Sequence, residues 1–151
     1  MSGLTSSLCT SFKKELMTGT HNLTLTTGNT FKAALFKATA SLTGTYGAAT
    51  TNYSDMTGNS DETSGTGYTA GGATLVNVTP LSSGTTAYAS FGTITWTAVT
   101  LTASGILIYN TSSSNKAVCV ISFGQDWALS GGNLVYTFPT FDVTNAIIRV
   151  G

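Results

Sequence analysis

The chain has 151 residues, six Lys plus Arg against six Asp plus Glu, and only 8% charged side chains, while 30 Thr and 17 Ser supply nearly a third of it. A typical globular protein is about 25% charged, so this surface is made of Thr, Ser, Asn and Gly, and without a basic excess it offers no electrostatic footprint for nucleic acid and no polybasic anchor for a membrane. Zero net charge with 41% hydrophobic residues excludes a disordered chain and favours association, so a homo-oligomer or larger assembly is expected.

Leu4, Leu8, Phe12 and Leu16 recur every four residues, the spacing of one helix face, which predicts a helix over 5–17 and an N-terminal helical arm over 1–20. Gly19 is placed to end it. From residue 21 to 151 the pattern is that of a single β domain. Phe31, Ala33 and Leu35 alternate with Lys32, Ala34 and Phe36, as in a strand between two packed layers. Residues 43–72 hold seven of the 17 Gly and three of the six acids with little apolar periodicity, and a loop of that length in one domain is usually functional or disordered. Further strands are expected at 73–79, 86–91, 93–101, 105–110, 117–123, 134–138 and 146–150. Turn chemistry at Gly28-Asn29, Ser82-Ser83-Gly84, 111–115 and Gly131-Gly132-Asn133 separates them. Between Ile94-Thr95-Trp96 and Val99-Thr100-Leu101 the apolar phase switches, which calls for a bulge or a crossing between sheets. The fold class is therefore all-β, an antiparallel β-sandwich or jelly roll with one N-terminal helix and a long Gly/Thr-rich loop.

The motifs that carry chemistry are thin. His21 is the only histidine, which excludes a two-histidine zinc site; nothing near it in sequence supplies the partners of a hydrolytic triad, and it is expected to be a turn residue between helix and first strand. Gly65, Gly67 and Ala70 fit a dinucleotide-type glycine pattern, yet Gly71-Gly72 follows instead of a helix. Ser113 and Lys116 form an SxxK without any accompanying motif. Asp55, Asp61, Glu62 and Asn59 offer hard oxygens, but not at EF-hand spacing, and are expected to be solvated loop groups. Cys9 and Cys119 are expected to be free, buried thiols. No catalytic residue, metal or cofactor is expected. No apolar run approaches the ~18 residues of a membrane span, and the first eight residues show no secretory signal, so synthesis in a cytoplasm is expected. Trp96 alternates with Ile94 and Ala98 as a core residue does, whereas Trp127 is the better candidate for an exposed, sugar-stacking aromatic.

The stretch Ser64-Gly65-Thr66-Gly67-Tyr68-Thr69-Ala70-Gly71-Gly72 after Asp61-Glu62 resembles one common in small structural proteins of tailed bacteriophages. Phe31-Lys32-Ala33-Ala34-Leu35-Phe36 is similar to that family's first core strand. Thr95 to Leu101 followed by Gly105-Ile106-Leu107-Ile108-Tyr109-Asn110 resembles its central hairpin. Val120-Ile121-Ser122-Phe123-Gly124-Gln125-Asp126 and Gly131-Gly132-Asn133-Leu134-Val135-Tyr136 look like its closing strands. Ser122 stands where the family often has an acid before Phe-Gly, so no charge-based contact is expected there. The resemblance implies a virion structural protein, expected on the capsid surface as a cement or decoration protein bound to the major capsid protein. The alternative is a tail or head-fibre protein contacting host glycans. Expected partner contacts are Leu4, Leu8 and Phe12 on the helix, Tyr53 and Tyr68 in the long loop, and Trp127.

Overall fold

The chain folds largely as antiparallel strands in the computed structural model, which describes residues 3–151. Strands β1 (Ser7–Leu8), β2 (Phe31–Phe36), β3 (Ala73–Thr74), β6 (Ile94–Asn110) and β7 (Lys116–Tyr136) form one sheet in the order β1-β7-β6-β2-β3. Strands β4 (Asn77–Ser83), β5 (Thr86–Phe91) and β8 (Ile148–Val150) form a second in the order β4-β5-β8. Among the described residues helices are few: α1 (Thr10–Met17), α2 (Tyr53–Gly58) and two 3-10 turns at Thr39–Ser41 and Thr111–Ser113. The two sheets meet where Phe31 of β2 lies 5.4 Å from Phe91 of β5, and Phe138, past the end of β7, adds its ring 5.7 Å from Phe91.

The N-terminal segment departs from the expected helix. Only residues from Thr10 onward are helical, because Ser7 and Leu8 pair with Val120 and Cys119 of β7, and Leu4 bridges Tyr46. Pairing with a sheet edge satisfies backbone groups that a longer helix would have bonded internally, so tertiary contact overrides the four-residue spacing. The helix stop is as expected. Gly19 takes φ +70°, Thr20 N–H donates to Glu15 O and Gly19 N–H to Leu16 O, the two bonds of a Schellman cap.

β6 and β7 form one long hairpin rather than four short strands, joined by the expected turn at 111–115. The glycines at 131–132 turn no chain end. They bend the ribbon, with Gly131 at φ +70° and its N–H on Thr100 Oγ1. The expected irregularity near Trp96 and Val99 is a bulge, with Ala98 at φ +51° and the Asn133 side chain accepting from its N–H. A straight strand from Phe123 to Tyr136 would span about 43 Å at roughly 3.3 Å per residue, yet their rings lie 6.1 Å apart. The distal half of the hairpin therefore folds back over its own face, and inside the bend Phe123 stacks on Trp127 and Tyr136 while Phe138 meets Tyr136 edge-on.

The centre of the large sheet is buried on both faces, as the alternation in β2 predicts. One face, carrying Phe31, turns toward the second sheet. The opposite face, carrying Phe36 and Tyr109, is covered by the segment 43–72: Tyr46 packs on Phe36 at 4.7 Å, Tyr53 stacks on Tyr109 at 4.4 Å, and Met56 is fully buried. This segment is a roof over the sheet, not an open loop. α2 begins inside it with a capping box between Asn52 and Asp55.

Candidate functional site

The roof is held by two adjacent carboxylates that point into separate nests of donors. Asp61 has no exposed surface and accepts from Thr43 N–H (2.9 Å), Gly44 N–H (2.8 Å) and the Tyr46 hydroxyl (2.5 Å), with Lys37 Nζ at 3.0 Å. Burial by itself would raise its carboxyl, but the Tyr46, Thr43, Lys37 and Gly44 donors outweigh it and hold the pKa at about 2, against an ordinary 3.8. Glu62 accepts from the Tyr53 hydroxyl (2.5 Å), the Tyr68 hydroxyl (2.6 Å) and Gly71 N–H (2.7 Å). Tyr68 also accepts from Leu35 N–H of β2, so it ties the roof to the sheet. Burial, and then donation to a carboxylate, push the Tyr46, Tyr53 and Tyr68 hydroxyls well above the usual phenol range. Tyr109 donates to Gly71 O at 2.7 Å. Gly72, at φ +75°, lies so close to β2 that a Cβ would stand 1.8 Å from Ala33 O.

The expectation of solvated acids is thus corrected. Asp55, Asp61 and Glu62 do not converge on a common point, because each is consumed by its own donors: Asp55 Oδ2 accepts from Thr51 N–H and Asn52 N–H at the start of α2. Among the described residues, no group of three His, Cys, Asp or Glu is placed to hold a metal ion.

His21 is also corrected, from a turn residue to a buried one. Its Nε2 is 2.8 Å from Glu15 Oε2, its Nδ1 is 2.9 Å from Asn110 Nδ2, and its ring packs against Phe12 at 4.8 Å. Asn110 Nδ2 can only donate, so Nδ1 accepts and Nε2 carries the proton given to Glu15. With both nitrogens engaged and no exposed side-chain surface, the imidazole cannot meet a substrate in this arrangement. Glu15 also pairs with Lys116 at 2.9 Å; burial opposes ionisation there, but the bonds from Lys116 and His21 keep its carboxyl below the usual range. The cysteines are the free, buried thiols expected, and burial pushes Cys9 up to about 12.

Of the expected contact residues, Leu4 (5% exposed) and Phe12 (0%) are core side chains, because the N-terminal segment is packed onto β7 and the sheet rather than projecting as an arm. Tyr53 and Tyr68 are half-buried and spend their hydroxyls on Glu62. Trp127 stacks on Phe123 at 4.7 Å, and its indole N–H is buried without a hydrogen-bond partner among the described residues. Leu8 lines an open groove. That groove, of about 540 Å³, runs between α1 and β8 and includes Leu16, Met17 and Val150. Met17 is 83% and Val150 58% exposed, and nothing in the periodicity of either segment singled them out.

No protein-family model, no curated protein and no solved structure matches this chain.

Proposed function

We propose that the protein is a structural component of a virion, a capsid cement or decoration protein seated on the major capsid protein. In this reading the two sheets are the layers of a β-sandwich, supported by the Phe31–Phe91 contact between them. The observation that carries the reading is an exposed apolar groove, bearing Met17 and Val150, on a chain without net charge. Such a surface lacks the self-repulsion that keeps free proteins apart and is stabilised when covered. The clamped roof adds to it, since a preorganised surface loses little conformational entropy on docking. Uncharged Thr and Asn side chains form hydrogen bonds at an interface without the desolvation cost of buried charge. Repetition over many copies turns a weak contact into high avidity.

The test is to add purified protein to capsid shells that lack it. Binding with increased resistance to heat or denaturant is expected; failure to bind would sink the reading. The fibre alternative draws less support, because Trp127, its sugar-stacking candidate, is stacked inside the bend of the hairpin.

A further inference from the structure

β8 is the terminal strand of its sheet. It pairs with β5 through Ile148, Arg149 and Val150, and among the described residues its other edge has no strand partner. The groove beside α1 lies on that open side, since it is lined by Arg149 and Val150 of β8 but by no residue of β5, with Leu8, Lys13, Leu16 and Met17 as the facing wall. An unpaired strand edge presents a row of backbone donors and acceptors, a template for an added strand. The facing wall supplies apolar side chains on which alternate residues of such a strand would pack.

Charge narrows the occupant further. Lys13 in the groove has no ion pair among the described residues, whereas Lys37 and Lys116 do. Arg149 donates to Thr144 O, with Asp142 nearby. The acid closest in sequence, Glu15, is turned away toward His21 and Lys116. A second copy docking edge to edge about a twofold would set Arg149 near its own mate, which is unfavourable.

We infer that the groove between α1 and the open edge of β8 receives an extended segment of the capsid shell protein, apolar at alternate positions and carrying carboxylates. Its source, the shell, rests on the function proposed above; the strand-addition chemistry does not. Two measurements separate them. In the first, wild type and the double variant K13E/M17E are compared for binding to shells. Both side chains are exposed, so thermal melting should be unchanged, while shell affinity should fall about tenfold or more through charge repulsion and lost apolar contact. Equal binding of wild type and variant overturns the groove while leaving the virion role standing. Absence of binding by wild type overturns the virion role and with it the shell as the source. In the second, acetyl-Asp-Val-Thr-Val-Thr-Val-Asp-amide and its twin with Lys in place of both Asp are titrated into the protein alone, with amide hydrogen exchange read at 148–150. Slowed exchange there with the Asp peptide, and weaker slowing with the Lys peptide, supports the groove whatever the shell result. No slowing with either peptide, or equal slowing with both, overturns it.

Discussion

Replacing Asp61 by Asn keeps its shape and removes its charge. Two main-chain N–H groups (Thr43, Gly44), the Thr43 and Tyr46 hydroxyls and the Lys37 ammonium all donate to the carboxylate. An amide nitrogen in place of either oxygen meets a group that cannot accept from it, Gly44 N–H at one position or the Lys37 ammonium at the other, and Lys37 loses its counter-ion. An unsatisfied buried donor costs about 1–3 kcal/mol and breaking a buried pair about 3–5 kcal/mol. Lys37 is partly exposed, at 24%, and keeps its bond to Ser60 O, so a loss of about 2–4 kcal/mol is expected. The pH dependence gives a second estimate. Folding lowers the Asp61 pKa from 3.8 to about 2, which corresponds to roughly 2.5 kcal/mol of stabilisation. Because the folded value is the depressed one, this stabilisation is present above about pH 4 and fades as pH falls from 4 toward 2. Urea unfolding of wild type and D61N at a series of pH values from 7 to 2.5 measures both quantities. The gap between them should be about 2–4 kcal/mol at pH 7, with the same m value, and should narrow below pH 4. A gap under about 0.5 kcal/mol at pH 7, or one that does not narrow in acid, would refute the assignment of Asp61 as the clamp of the roof.

Two glycines with left-handed backbone separate strain from collision. Gly131→Ala meets nothing within 4 Å and should lower stability by only about 1 kcal/mol, whereas Gly72→Ala drives a Cβ into Ala33 O and should cost several-fold more; equal melting temperatures for the two variants would contradict the close approach of roof and sheet. Cys9 and Cys119 should resist a thiol reagent in native protein at pH 8 and react fully in denaturant, since both are buried and burial raises both thiols. Rapid labelling of either thiol without denaturant would show that the β1–β7 edge opens readily.

Particular residues show what could be read in advance. The alternation Phe31 to Phe36 required cover on both faces, and both covers exist, but nothing in residues 43–72 announced that they supply one of them. Three tyrosines and two adjacent acids in a glycine-rich stretch were the available signal. A carboxylate looks the same in sequence whether its donors are water or buried N–H groups. The four-residue spacing of Leu4, Leu8, Phe12 and Leu16 was misleading for its first half, because the same apolar side chains suit a strand pressed against β7. Gly131-Gly132 marks a place where the chain turns, yet a left-handed glycine serves equally for a hairpin end and for a bend within a long ribbon.

The sequence by itself determined the β class, the end of α1 at Gly19, an irregularity between Trp96 and Val99 and the buried thiols. Each follows from local backbone preference or from a side chain's own affinity for water. Only the tertiary structure decided that Asp61 and His21 are buried, that Phe12 is core, and that Met17 and Val150 share an open groove. Those outcomes depend on partners distant in the chain, Asn110 for His21 and β8 for Met17, and a polar group is buried only where such partners satisfy it.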